Sequence, residues 1–250
     1  MEILEIQTRQ LYPIEQVIIE HSRNKGSAGH RPNSTWRFIH SPMVSEEYGY
    51  DRRFGRVLME GLGVSGLEQW VDNFRVEYGR NPVVMEFMGP VTLLEQLGAP
   101  GIYVNWDADL KDGMAFHNSE VGSRVGINSD IEDLEGFLPR LRVALDTFGG
   151  VPCLDLIVCK PEGALSSLVD IPEAFYYWYE LLTSLLQPGG IALIQGYDNN
   201  LQVIYGYKSS LDDFAVRLEE QGNGRLTYRE GGMFYMLVEN YNGGPLGVFY

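Results

Sequence analysis

Alternating stretches of hydrophobic periodicity run along the chain from about residue 65 to residue 240. The first stretch predicts an amphipathic helix from apolar residues that recur every three or four positions: Leu67, Trp70, Val71, Phe74 and Tyr78. Ser65 and Glu68 have the spacing of a capping box at its start, and Gly79 is a suitable stop. The helix is therefore expected to begin at Ser65 and to end before Gly79.

Short apolar runs between the helical stretches have the length and composition of buried strands: 83–87, 102–106, 123–127, 153–159 and 191–195. Helical stripes separate several of them, notably at 134–148 and 174–186, and Pro188-Gly189-Gly190 is expected to end the second stripe. Two further runs, 225–229 and 233–239, predict a hairpin. Because strands and helices alternate, we predict an α/β fold: a doubly wound, mostly parallel seven-stranded sheet with helices on both faces and a C-terminal antiparallel hairpin.

The length of 250 residues suits one domain with an attached cap. Residues 1–64 lack one dominant period and predict an N-terminal cap or lid, although their loop-like part at 25–34 slightly favours a linker. Residues 65–242 form the predicted α/β domain, and residues 243–250 form a tail. The aromatic end of that tail either docks on a neighbouring subunit, which would make a homo-oligomer, or frays.

The formal net charge of −15 opposes binding to nucleic acid and to anionic membranes. No apolar run approaches the roughly 20 residues of a membrane span, and the first residues do not have the pattern of a signal peptide. Cys153 and Cys159 are spaced too far apart on one strand for a disulfide, and no zinc-site spacing is present. These features predict a cytoplasmic protein with reduced thiols and no metal site.

Two motifs stand out in this order of elements. One is Leu-Leu-Gln-Pro-Gly-Gly-Ile-Ala-Leu-Ile at residues 185–194, and the other is Asp-Leu-Ile at residues 155–157. They resemble, respectively, the junction before strand five and the start of strand four in class I (Rossmann-like) S-adenosylmethionine-dependent methyltransferases. The resemblance covers about residues 65–240 and implies a doubly wound sheet that ends in a reversed hairpin strand. It also implies S-adenosylmethionine as the cofactor.

The glycine-rich motif of that family is degenerate in this chain. Residues 84–92 correspond to it, but Met88, Pro90 and Thr92 stand where the family has three glycines. Glycine is used there because the backbone approaches the cofactor closely and needs freedom in φ. A long side chain at Met88 and the missing N–H of Pro90 therefore alter the cofactor loop.

The resemblance implies four cofactor-binding residues. Glu86 matches the acidic position of the first motif, and Gly89 is the glycine that remains beside it. Asp107, 21 residues beyond Glu86, matches the acid that takes the ribose hydroxyls, with Asp109 as its rival. Asp130 matches the acid near the adenine amino group.

Each acidic residue also has a structural interpretation. The two aspartates after the second strand could be solvated turn residues, and Asp130 could cap the helix that carries Leu134. Glu86 could be a strand-end carboxylate that accepts hydrogen bonds from backbone amides. The sequence leaves these alternatives open.

The catalytic residues are unknown, and three residues are weak candidates for a base. Lys160 follows the fourth strand and would need burial to lower its pKa, and His30 and His40 lie in the N-terminal region that often covers the acceptor in small-molecule methyltransferases. An exposed lysine and ordinary packing histidines are the alternative interpretation. Only Pro161 could match the Asn/Asp-Pro-Pro-Tyr motif of amino methyltransferases that act on nucleic acids, which disfavours that substrate class.

Two functions follow as hypotheses. The first is S-adenosylmethionine-dependent methyl transfer to a small-molecule acceptor, favoured by the acidic residues at matching positions. The second is a methyltransferase-fold scaffold or interaction subunit that has lost its cofactor, favoured by the replaced glycines. A dinucleotide dehydrogenase is disfavoured because no G-x-G-x-x-G follows a strand.

Overall fold

The computed structural model describes residues 15–20, 58–87, 93–105, 113–131, 133–159, 177–178, 181–197, 216, 219–220, 224–229 and 233–240. Eight strands lie within these ranges: β1 (Val84–Phe87), β2 (Gly101–Asn105), β3 (Gly113–Ser119), β4 (Gly122–Asn128), β5 (Leu154–Cys159), β6 (Leu186–Tyr197), β7 (Gly224–Arg229) and β8 (Met233–Asn240). Helix α1 (Leu67–Tyr78) precedes β1, α2 (Leu93–Leu97) lies between β1 and β2, and α3 (Leu134–Asp146) lies between β4 and β5.

The strands form one sheet in the order β3-β4-β2-β1-β5-β6-β8-β7. Neighbouring strands from β4 to β6 are parallel, whereas β8 runs antiparallel to both β6 and β7. The chain moves outward from β1 to β4, returns to place β5 beside β1, and then continues to β6 on the other side. All seven predicted strands are present, so the predicted fold class is confirmed, including the C-terminal hairpin.

Helices cover both faces of the sheet because successive strand residues point to opposite sides. Met85 and Phe87 of β1 pack in one apolar cluster with α3, and we call this side the α3 face. Val84 of β1 packs in a second cluster with α1 and α2, and we call this side the α1 face. Both faces of β5 are buried, which explains why its sequence is apolar throughout most of its length.

The sheet has one strand more than the sequence predicts. β3 pairs antiparallel with β4 over seven residue pairs and lies at one edge of the described sheet. Its side chains are mostly exposed, so it lacks the apolar alternation that marks a half-buried strand. The ladder with β4, rather than burial, makes this segment a strand.

The start of β6 also differs from the prediction. Residues 181–184 are helical, but Leu186 already pairs with Leu154, so the strand begins before Pro188-Gly189-Gly190. The next pair, Leu156 with Ile191, leaves extra residues on β6 that form a bulge. Gly190 is suited to this bulge because a Cβ there would lie 3.0 Å from the Leu154 carbonyl oxygen. The helical stripe continues into Leu185 and Leu186 because both remain buried after the helix has ended.

The capping box predicted for α1 is wrong. The N-cap residue is Gly66, and it makes no side-chain hydrogen bond. Ser65 instead contacts Gln69: its backbone N–H and its hydroxyl both donate to Oε1 of Gln69, at 3.0 and 2.8 Å. The predicted stop is confirmed, since Gly79 has a φ of 66° and its N–H donates to the Arg75 carbonyl.

A charged contact joins the start of β5 to the turn before β1. The Arg80 guanidinium donates two hydrogen bonds to the Asp155 carboxylate, at 2.6 and 2.8 Å, and the Val83 N–H donates a third at 2.8 Å. The guanidinium also lies 4.9 Å from the centre of the Phe74 ring. Asp155, the residue that begins the family-like motif, thus stabilises the amino ends of β1 and β5.

Parts of the N-terminal region pack into the core of the domain. Residues 15–20 are helical, and Ile18 and Ile19 belong to the cluster on the α3 face. The Tyr177 hydroxyl lies 3.0 Å from the buried Glu15 carboxylate. Leu58 is buried on the α1 face. These contacts attach the N-terminal region to both layers of helices.

Cys153 and Cys159 are free and buried, as expected for structural thiols. Burial raises the pKa of the Cys153 thiol to about 12 and also raises the pKa of the Cys159 thiol. In the part of the chain that the structure describes, no helix is long and apolar enough to cross a membrane.

Candidate functional site at the carboxyl ends of the strands

The parallel strands bring polar residues together at one edge of the sheet. In a doubly wound sheet, ligands bind outside the carboxyl ends of the strands, near the point where the strand order reverses. That point lies between β1 and β5. The described polar residues nearest the carboxyl ends of β1, β2 and β4 are Glu86, Asn105 and Asn128, and all three are on the α1 face by strand alternation.

Glu86 is fully buried near the end of β1. Its Oε2 accepts a hydrogen bond of 3.0 Å from the backbone N–H of Leu93, the first residue of α2. A carboxylate at a helix start satisfies an N–H that has no partner within the helix. The structure therefore gives Glu86 the backbone contact that its structural interpretation requires, and this contact joins the end of β1 to the start of α2.

Asn105, which the sequence analysis did not select, ends β2. Its backbone carbonyl accepts the N–H of Ser129 at 2.9 Å, so the ends of β2 and β4 are joined. The side-chain Oδ1 is buried and has no hydrogen-bond partner among the residues that the structure describes. A buried acceptor without a partner costs about 1–3 kcal/mol, and a donor on a ligand would remove that cost. The predicted strand ran to residue 106, one residue beyond the observed end of β2. A prediction that ended at residue 105 would have placed Asn105 at the end of the strand.

The end of β4 is held by α3. Arg140 of α3 donates a hydrogen bond of 2.8 Å to the buried hydroxyl of Ser129. The cap of α3 is Asp133, whose side chain accepts from the N–H of Gly136. Asp130 therefore does not have the capping role considered for it. It is half-buried directly after Ser129, and its carbonyl accepts the Asp133 N–H at 3.2 Å.

Aromatic packing supports the strand ends from the α3 face. Trp178 contacts Phe87 and Phe137, with ring centroids 5.6 Å apart in each pair, and all three rings are fully buried. The Trp178 Nε1 is buried and lacks a hydrogen-bond partner within the described ranges. Large buried aromatic residues contribute much of the packing energy of a core. The strand ends near Asn105 are therefore supported by a well-packed aromatic cluster on the α3 face.

The other sequence-predicted residues lie outside the described ranges. These are the cofactor candidates Gly89, Asp107 and Asp109 and the catalytic candidates Lys160, His30 and His40. Glu86 and Asp130 are the predicted site residues that the structure places, at the ends of β1 and β4. Asn105 and Ser129 lie at the same edge and were not predicted.

Comparisons with known proteins yield methyltransferases among solved structures. No protein-family model and no curated protein sequence matches the chain. A ribosomal RNA methyltransferase (putative) from Plasmodium falciparum is 11% identical, with 72% of this chain and 98% of that chain covered and a TM-score of 0.34. MycE, a methyltransferase from the mycinamycin biosynthetic pathway in complex with Mg and SAH, is 15% identical, with 97% and 60% covered and a TM-score of 0.37. A methyltransferase from Pyrococcus furiosus is 12% identical, with 92% and 100% covered and a TM-score of 0.28.

The strand order, rather than these scores, identifies the fold. The resemblance to class I methyltransferases implies a doubly wound sheet that ends in a reversed hairpin strand. The structure has both features, and its reversed strand is β8, which lies antiparallel beside β6. The chain therefore has a class I methyltransferase-like α/β fold. A fold of this kind leaves the activity open, because one fold hosts many functions.

Proposed function

We propose that the protein binds S-adenosylmethionine at the carboxyl edge of the sheet and transfers its methyl group to a small-molecule acceptor. The observation that carries this proposal is the buried Oδ1 of Asn105 at the end of β2, which no described residue satisfies. Ribose hydroxyls and an adenine amino group are donors that could satisfy this acceptor. The residues at this edge thus fit the polar half of the cofactor.

The cofactor would be held by residues at the ends of three neighbouring strands. Asn105 would accept a hydrogen bond at the end of β2, together with the predicted Asp107. Asp130 would contribute a carboxylate at the end of β4. Glu86 would act by positioning the loop with Gly89, because its carboxylate is bonded to the Leu93 N–H. The bound group would supply an electrophilic methyl carbon, and the protein would contribute orientation and exclusion of water.

The formal charge of −15 supports a small acceptor over a nucleic acid. Lys160, His30 and His40 remain proposed bases for an acceptor that must lose a proton. The division of the chain also remains a proposal. In it, residues 1–64 form a cap or lid, residues 65–242 form the methyltransferase-like domain, and residues 243–250 form a tail. The two free, buried thiols support a reducing compartment such as the cytoplasm.

Calorimetric titration with S-adenosylmethionine and S-adenosylhomocysteine tests cofactor binding. We expect micromolar binding by the wild type and about five- to tenfold weaker binding by Asn105→Ala, the loss of one hydrogen bond. Because Asn105→Ala removes a buried unsatisfied atom, its thermal stability should be unchanged or higher. Asn73→Ala, at an exposed position on α1, is the matched control and should bind like the wild type.

A second candidate function is a scaffold that keeps the fold without the cofactor. It is favoured by Met88, Pro90 and Thr92 at the positions of the family's glycines. A well-folded wild type that binds neither ligand at millimolar concentration would support the scaffold and exclude the methyltransferase. If Asn105→Ala bound the cofactor as tightly as the wild type, the contact proposed for Asn105 would be wrong.

A further inference from the structure

We propose that β3 is the contact strand of a homodimer, in which two copies of β3 pair antiparallel across a two-fold axis at Phe116. β3 lies at one edge of the described sheet, and within that sheet only its inner side is paired, with β4. The side chains from Ala115 to Ser119 are exposed, and Phe116 retains 58% of its accessible surface. Within the described residues no strand pairs with the outer side of β3, so a strand of a second subunit can pair there.

The usual devices that protect a sheet edge are missing from β3. Natural edge strands are commonly guarded by charged residues, by proline or by a bulge. Residues 113–119 contain no Asp, Glu, Lys, Arg or Pro, and their pairing with β4 continues without a register shift. The other edge strand of the described sheet, β7, differs because its sequence contains Arg225 and Arg229. Of these two edges, β3 is thus the unprotected one.

The neutral charge of the β3–β4 hairpin allows a second copy of this chain to be the partner. Two copies with a formal charge of −15 each repel one another over most of their surfaces. The β3–β4 hairpin, 113–128, contains one acid, Glu120, and one base, Arg124, so its formal charge is zero. Two hairpins can therefore approach without the repulsion that the rest of the chain would produce. A two-fold axis also lets the same strand serve both subunits, which is the commonest symmetry of homo-oligomers.

The register follows from the symmetry and from the apolar residue at the centre of the strand. With the axis at Phe116, this ring lies opposite its copy, and Met114 lies opposite Asn118 of the second copy. Aromatic residues directly opposite each other stabilise antiparallel pairs. A seven-residue strand spans about 23 Å, so strand pairing alone buries less than the roughly 1,600 Å² of a standard interface. The dimer is therefore expected to depend on concentration.

Cross-linking tests both the dimer and its register. In Phe116→Cys the two introduced thiols would face each other, within the roughly 7 Å between Cα atoms that a disulfide allows. In Asn118→Cys they would be four residues apart along the pair, about 13 Å. Cys153 and Cys159 are buried and should not interfere. We expect mild oxidation to give a covalent dimer with Phe116→Cys and much less with Asn118→Cys or with Val76→Cys, whose position on α1 is 88% exposed.

Light scattering across a concentration series provides an independent measurement on the full chain. The wild type should shift from monomer to dimer, and Phe116→Glu should raise the dissociation constant about tenfold because it places like charges opposite each other. Val76→Glu, which adds the same charge elsewhere, should dimerise more strongly than Phe116→Glu. A wild type that stays monomeric at its highest soluble concentration, or equal cross-linking of Phe116→Cys and Asn118→Cys, would overturn the proposal.

Discussion

Replacing Asp155 by alanine should destabilise the protein, although Asp155 lies at the amino ends of the strands and the candidate site lies at their carboxyl ends. The carboxylate accepts two hydrogen bonds from Arg80 and one from the Val83 N–H. Only 6% of the Asp155 side chain is exposed, whereas 40% of the Arg80 side chain is exposed. The substitution would leave the Val83 N–H without this acceptor and would return the guanidinium to water.

The magnitude follows from these two losses. A partly buried N–H without an acceptor costs about 1–2 kcal/mol. The ion pair is discounted for the exposure of Arg80, and it contributes about 0.5–1 kcal/mol, close to the range for surface pairs. The free energy of unfolding should therefore fall by about 2 kcal/mol. For a domain of this size that lowers Tm by about 4–8 °C.

Urea denaturation of the wild type and three variants measures the effect and separates its terms. Asp155→Asn keeps an acceptor for the Val83 N–H and should lose about half as much stability as Asp155→Ala. Asp72→Ala is the matched control, because Asp72 also pairs with an arginine, Arg75, but 73% of its side chain is exposed. It should lose less than about 0.5 kcal/mol. If Asp155→Ala cost no more than Asp72→Ala, the reasoning from burial and the Val83 contact would be refuted.

Two further predictions concern the core. Burial raises the pKa of Cys153 from 9.0 to about 12 and also raises the pKa of Cys159. Above about pH 9 the thiols therefore ionise only in the unfolded chain. The free energy of unfolding should fall as the pH rises toward 12. A Cys153→Ala/Cys159→Ala variant should show a flatter pH profile in urea melts, and an identical profile would exclude the thiols as its cause. Gly101→Ala should prevent folding because its Cβ would overlap the Val84 carbonyl oxygen, at a φ of 159°, whereas Gly66→Ala has open space. Circular dichroism and soluble yield check this pair, and a native spectrum for Gly101→Ala would contradict it.

Local pattern was sufficient to predict the elements with strong apolar periodicity. The strands that became β1 and β5, and residues 192–194 of β6, were predicted because they are buried on both faces, which leaves apolar runs in the sequence. The exposed β3 lacked such a run, and only its ladder with β4 reveals it. The predicted end of the helix before β6 was too late. Leu185 and Leu186 stay buried, so the helical stripe continues past the last helical turn.

The sequence named candidate residues near the strand ends, and the structure adds others at the same place. The resemblance directed attention to the strand ends and to Glu86 and Asp130, which the structure places at the ends of β1 and β4. It did not identify Asn105. The interest of this side chain depends on the end of β2 at residue 105 and on its Oδ1, which is buried without a partner among the described residues. It also did not assign the cap of α3 to Asp133, since two aspartates near a helix start look alike in sequence.

The sequence by itself determined the alternation of strands and helices, the net charge and the composition of the strand ends, because these depend on residues close together in the chain. The tertiary structure alone decided which strand ends are neighbours, which polar atoms of the described residues are buried without a hydrogen-bond partner, and which strands form the edges of the described sheet. These properties depend on contacts between segments far apart in sequence, such as Arg80 with Asp155 and Asn105 with Ser129. Burial and pairing across the sheet are therefore what convert a methyltransferase-like pattern into a specific candidate site.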